Sequence, residues 1–243
     1  MTSSFFLSGL SRRGLFRRLA FALVAATGLW QGAAHCENAR AVAAPTQDEA
    51  PGIGHVEKAV LAGGCFWGVQ GVFEHVQGVE HVVSGYAGGT AETAHYETVG
   101  GGRTGHAESV EVTFDPTQVS YGTLLQIFLS VAHDPTEVNR QGPDSGTQYR
   151  SAIFPATEEQ QRVAQAYIAE LGAGHAFGAP IATRIETNAH FYPAEDYHQD
   201  FLALHPATPY IVVNDLPKVA QLKRLFPTRY REQPVLLTTA TGH

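Results

Sequence analysis

Cysteine is nearly missing from this chain, with two residues, Cys36 and Cys65, in 243. Nothing after Cys65 carries a thiol, so no disulfide can form between Cys65 and the C-terminal part of the chain. Methionine is scarcer still: Met1 is the only one, so a processed chain would present no methionine of its own to oxidants. Basic clusters are absent beyond the N-terminal segment, and the formal net charge is -7, which leaves nucleic acid no electrostatic footprint. Long apolar runs are missing too. The one near the start, Leu19 to Trp30, is too short for a comfortable membrane span but suits the apolar part of an export signal. The 12 histidines fall in separate segments without an H-x-x-x-H pair or a Cys-rich partner, so no metal site is expected. His106 and His133 are read as structural hydrogen-bonders.

What is there begins with "SRRGLFRR", in which Arg12 and Arg13 precede the apolar run as in a twin-arginine export signal. An A-x-A cleavage pattern stands at Ala41 and Ala43, and an earlier small-residue site ends at Ala34. The expected organisation is an export signal over 1–43, a linker over 44–54, a catalytic domain over 55–230 and a tail over 231–243. A cut after Ala43 would remove Cys36 and leave Cys65 as the only cysteine. The expected location is the periplasm, with no membrane association once the signal is cut; an uncleaved signal acting as an anchor is the alternative.

Beyond the linker, strand and helix patterns alternate. "EKAVLAG", Glu57 to Gly63, reads as an apolar strand, and Val69, Val72, Phe73 and Val76 recur at helical spacing after it. "AESVEVTFD" alternates with Glu108, Val110, Val112 and Phe114 on one face. "YGTLLQIFLSVA" predicts a helix, "QYRSAIFP" a strand, and "TEEQQRVAQAYIAEL" a helix opened by Thr157 and Gln160 as a capping box. "IATRIET" predicts a strand, with helical turns at "AEDYHQDFLAL" and "PKVAQLKRLF". This is an α/β layered fold.

Cys65 falls between a strand that ends in Gly63 and Gly64 and the helix that follows. Unpaired N–H groups at a helix start favour a thiolate, so the position predicts a lowered thiol pKa. Phe66 and Trp67 are placed to wall an adjoining pocket, one that would accept a sulfur-methyl group. The competing reading is a buried, inert cysteine. Glu108 shares the apolar face of its strand; burial without a cation keeps such a carboxyl protonated and able to deliver a proton. Tyr96 and Tyr149, from separate loops, can hold a polar oxygen without adding charge.

"GCFWG" at 64–68, "GYAGG" at 85–89, "GHAE" at 105–108, "HDPTEVNRQGPDSGTQYRSAIF" at 133–154 and "AEDYHQ" at 194–199, in this order, closely resemble the A-type peptide methionine sulfoxide reductases. The resemblance covers about Glu57 to Pro209. It implies a mixed α/β two-layer sandwich related to the ferredoxin-like plait, with no metal or organic cofactor. It further implies that Cys65 attacks the sulfur of methionine-S-sulfoxide in proteins or peptides, with Glu108 as proton donor. Tyr96 and Tyr149 would hold the sulfoxide oxygen, Asp144 would help organise the site, and Phe66 and Trp67 would receive the methyl group.

The departure from many relatives is the missing C-terminal cysteine. The sulfenic acid left on Cys65 is therefore expected to be reduced by an external thiol, from a thioredoxin-like or glutaredoxin-like protein or a small thiol. A monomer is expected. Two other functions are compatible with the residues alone. One is a hydrolase using Cys65 with His106 or His133 as base and Asp134 as orienter. The other is a non-catalytic exported module that binds oxidised peptides.

Overall fold

A computed structural model describes residues 40–50 and 55–237. Residues 1–39 of the expected export signal, with Cys36, residues 51–54 of the expected linker and the end of the expected tail lie outside the described residues.

The chain first builds strand β1 (Glu57–Gly63), helix α1 (Phe66–Glu74) and strand β2 (Val79–Ala87). A short helix α2 (Tyr96–Val99), strand β3 (Ala107–Phe114) and helix α3 (Tyr121–Ile127) follow, the last continuing as a π-helical turn over Phe128–Ala132. A two-residue hairpin, β4 (Arg140–Gln141) with β5 (Asp144–Ser145), leads to strand β6 (Ser151–Phe154) and helix α4 (Glu158–Ala173). Short strands β7 (Arg184–Ile185) and β8 (Phe191–Pro193), helix α5 (Phe201–Leu204) and helix α6 (Leu216–Leu225) complete it. No helix among the described residues is long and apolar enough to cross a membrane.

The main sheet runs β7-β6-β1-β3-β2-β8, antiparallel except for the parallel β6–β7 pair. Its central four strands, β6-β1-β3-β2, connected β-α-β-β-α-β along the chain, have the order of a ferredoxin-like plait. Alternation on β1 shows how the layers divide. Ala59 and Leu61 enter the large core under the helices, while Val60 and Ala62 enter a smaller cluster on the other face with Ala152 and Phe154. On β3, Val110, Val112 and Phe114 join the large core, and Glu108 continues their face.

Local caps fix the helix starts as the sequence reading requires. Ser120 Oγ accepts from Thr123 N at 3.2 Å, and Thr157 Oγ1 accepts from Gln160 N at 3.0 Å. Gln160 Oε1 accepts from Ala156 N at 2.9 Å, one residue earlier than a strict capping box requires. One expectation needs correction. Of the linker expected over 44–54, residues 44–50 are held along α3 and α4: Thr46 N donates to Glu170 Oε2 at 3.1 Å, and Asp48 accepts from Gly122 N at 2.8 Å. Polar, Pro-containing sequence reads as linker because nothing local reveals its distant partners.

Candidate active site

The glycine pair and helix start place Cys65. Gly64 has φ +90°, in the region that favours glycine, and a Cβ there would stand 2.6 Å from Gln141 Cβ. Gln141 is held in turn, accepting from Asp134 N at 3.0 Å and donating to Asp134 O at 2.6 Å. Cys65 is the N-cap of α1 and is buried. The first amides of the helix are divided between two groups. Phe66 N donates to Glu108 Oε2 at 3.1 Å, and the Trp67 amide favours the anionic form of the Cys65 sulfur without capping it in a hydrogen bond.

The structure brings the sequence-predicted residues to one cavity of about 220 Å³: Cys65, Glu108 and Asp144 line it with Phe66, Trp67, Tyr96 and Tyr149. Burial pushes Glu108 up to about 8, with Asp144 and Asp215 adding to the rise and the Phe66 amide opposing it. At neutral pH this carboxyl holds its proton, as expected.

The thiol expectation is overturned. Burial pushes the Cys65 thiol well above its ordinary value, and the nearby carboxyls of Glu108 and Asp215 add to this. The Trp67 amide and Lys218 pull the other way and lose. The helix start is present, but a fully buried sulfur gives up more hydration than one amide and a partial dipole return. At rest Cys65 is a thiol.

Two tyrosines and two elements of the C-terminal half hold the walls. Glu195 Oε1 accepts from Tyr96 N at 3.0 Å and Glu195 Oε2 accepts from the Tyr86 hydroxyl at 2.8 Å. Burial works against the Glu195 charge, but these donors and its own amide keep its carboxyl below the usual range. Trp67 stacks on Phe201 at 3.9 Å between ring centroids and 11° between planes, and its indole N–H donates to His198 Nδ1 at 3.1 Å. Burial lowers the His198 pKa, consistent with a neutral ring that accepts at Nδ1. The same ring packs against Phe66 at 4.9 Å and Tyr96 at 4.4 Å.

Three residues of this site were missed in the sequence. Tyr210 lines the cavity and its hydroxyl donates to Asp144. Asp215 and Lys218 form an ion pair at 3.1 Å against the first turn of α1, where a Cβ on Gly68 would lie 2.1 Å from Asp215 Oδ1. All three follow Pro209, where the motif resemblance ends. The available signal was a Tyr and an i,i+3 Asp–Lys pair flanking a Pro, which by itself points to no chemistry.

His106 and His133 stand outside the cavity lining. His106 Nδ1 accepts from Gly89 N at 3.2 Å with Nε2 3.0 Å from Thr90 O, and His133 pairs with Ser151 Oγ at 2.6 Å. Burial holds His133 down near 3, too weakly basic to take a proton from a thiol. The Cys–His hydrolase is not supported.

The family model described as peptide methionine sulfoxide reductase matches residues 57–230. A Mesorhizobium japonicum protein named peptide methionine sulfoxide reductase MsrA 2 is 63% identical over 186 residues, covering 76% of this chain and 95% of that one. A Synechocystis protein of the same name is 57% identical over 177 residues, covering 73% and 83%. Among solved structures, Mxr1 of Saccharomyces cerevisiae in its reduced form superposes with a TM-score of 0.57 at 33% identity, covering 63% of this chain and 87% of that one. Methionine sulfoxide reductase A of Corynebacterium diphtheriae gives 0.52 at 36% identity, covering 65% and 79%.

Proposed function

The chain belongs to the peptide methionine sulfoxide reductase family and reduces methionine sulfoxide at the expense of a thiol; on that premise we propose that Cys65 is the attacking sulfur and Glu108 the acid that serves it. The observation that carries this is the shared cavity of a thiol and a protonated carboxyl, walled by aromatic rings.

The chemistry follows from the two protonation states. Sulfoxide oxygen is a poor leaving group, so it needs a proton as the sulfur is attacked. Glu108 gives that proton. Once ionised it is a base beside the Cys65 thiol, and it recovers a proton from there. The sum is Cys–SH plus sulfoxide going to Cys–SOH plus thioether, with oxygen passing from one sulfur to the other. Tyr96 and Tyr149 hydroxyls hold the oxygen, and burial raises both phenol pKa values, keeping them donors. Asp144, tied to Tyr210, orients this polar end. Phe66 and Trp67 take the methyl group, and fixing methyl, oxygen and the direction of attack by Cys65 around the sulfoxide sulfur is what would select the S epimer.

An external thiol then closes the cycle: it displaces water from Cys–SOH to give a mixed disulfide, and a second thiol releases Cys65. No cysteine follows Cys65 in the sequence, which supports a thioredoxin-like, glutaredoxin-like or small-thiol reductant. The enzyme acts on oxidised proteins and peptides as a monomer exported by the Arg12–Arg13 leader. The direct test is Cys65→Ser assayed with each sulfoxide epimer. Loss of turnover of the S epimer, with the R epimer inert throughout, agrees with the proposal; persisting turnover contradicts it.

A further inference from the structure

Arg40 to Ala50 form a strap whose contacts are those of a built part of the domain. Val42 is only 5% exposed and belongs to the main core. Its N–H donates to Ser130 Oγ at 3.1 Å, and its carbonyl accepts from Gln126 Nε2 at 2.8 Å. Tyr167 holds Ala43 O, and Thr46 N and Oγ1 each donate to Glu170 Oε2 at 3.1 Å. Asp48 closes the N-terminal turn of α3, accepting from Gly122 N at 2.8 Å and Ser120 Oγ at 2.5 Å. The helix leaves room for it: a Cβ on Gly122 would stand 2.5 Å from Asp48 Oδ2 and 2.7 Å from Pro45 Cγ. Partners therefore come from α3, its π-helical continuation and α4.

The small-residue pattern Ala41–Val42–Ala43 lies inside this strap. Resting on the export reading above, we propose that the strap is part of the reductase, that the Ala43–Ala44 bond is not the processing site, and that any leader is removed before Arg40. A signal peptidase reads an extended, accessible segment with small side chains, and here the middle residue of the pattern is in the core. A cut after Ala43 would take Val42 out of the core, leave Ser130 Oγ and Gln126 without their backbone partners, and put a charged amine at Ala44, beside the Tyr167 contact. Upstream of Arg40, a cut after Ala39 would require Glu37 in a small-residue position, whereas Gly32 and Ala34 fit. Water then hydrolyses the Ala34–His35 bond, giving a leader ending in the Ala34 carboxylate and a mature chain beginning with the His35 amine. That chain retains Cys36, so the exported enzyme carries two thiols instead of one.

The full chain is expressed with its leader, recovered from the export compartment, and its N-terminus read by intact mass. The expected product begins at His35 and titrates two thiols per chain after denaturation. A product beginning at Ala44 with one thiol overturns the proposal. A parallel measurement uses Val42→Asp and the milder Thr46→Ala in the same full chain. Both are expected to melt lower than wild type, Val42→Asp by at least about 5 °C, and unchanged melting of both overturns the strap. A recovered chain that still begins at Met1 removes the export reading while the melting data decide the strap on their own.

Discussion

At the scale of single residues, the site rests on a carboxyl that keeps its proton and a thiol that keeps its own. Glu108 was legible in the sequence because strict alternation on its strand puts it on the apolar face, and burial then raises it to about 8. Cys65 was legible in place but not in state. Helix position can be read from a pattern, whereas desolvation depends on groups such as Tyr96, Asp144, Tyr149 and Tyr210 around the sulfur, none of which is near it in sequence. Glu108→Gln, which keeps shape and loses the proton, is expected to lower kcat/KM by roughly 10²- to 10⁴-fold. The wild-type rate should fall as pH rises through about 8, and that limb should be absent from the variant's pH profile. His198 was not singled out as a site residue, since a buried histidine among aromatics is usually core. Its role is to hold the Trp67 indole. His198→Ala should raise KM for a sulfoxide peptide by roughly 2- to 10-fold with kcat little changed, the cost of one hydrogen bond spent on positioning. A fall in kcat at constant KM would assign it a different part.

The elements show where pattern reading succeeds and where it stops. β1, α1, β3, β6 and α4 follow from period and caps because each carries its own signal within ten or so residues. β2, the strand between β3 and β8, has no such signal. Its register shifts between Val79 and His81, and Ser84 and Gly85 interrupt its second half, so the apolar alternation is broken although Val82 and Tyr86 are fully buried. The predicted strand over 181–187 shrinks to two residues at the sheet edge, and the helix at 121–132 changes to π-helical at Phe128. None of these limits reaches the catalytic loop, because Gly64 and Gly68 record tertiary approach directly. Gly68→Ala drives a methyl into Asp215 and should cost about 1–3 kcal/mol by overpacking, displacing α6 from α1. Chemical denaturation checks the loss, and an unaltered midpoint would mean that α6 is not seated there.

For the whole molecule, buried carboxyls set the response of stability to pH. Glu108 is raised to about 8, and Glu74, the buried last residue of α1 with Asp200 beside it, is raised well above its ordinary value. A raised carboxyl binds protons in the folded state that the unfolded chain has released, so stability falls as pH rises from about 4.5 through the folded value. The buried neutral His133 works the other way only below about 6.5, so the melting temperature is expected to drop between about pH 7 and 9, and Glu74→Gln should flatten the slope; a melting temperature that climbs over this range contradicts the burial of both acids. The chain also shows why the site was readable at all. Its chemistry sits in five short motifs and Tyr96, while what supports them from outside, the strap at 40–50 and helix α6 with its N-cap Asp215 and its Lys218, is joined to them only through space. The most direct measurement of the central claim is single-turnover reduction of a methionine-S-sulfoxide peptide by pre-reduced protein without reductant, followed across pH. One thioether per chain at a rate that falls above about 8 is what a protonated Glu108 serving a neutral thiol requires. A rate that instead climbs with pH as the thiolate forms, unaffected by Glu108→Gln, would show that the acid plays no part.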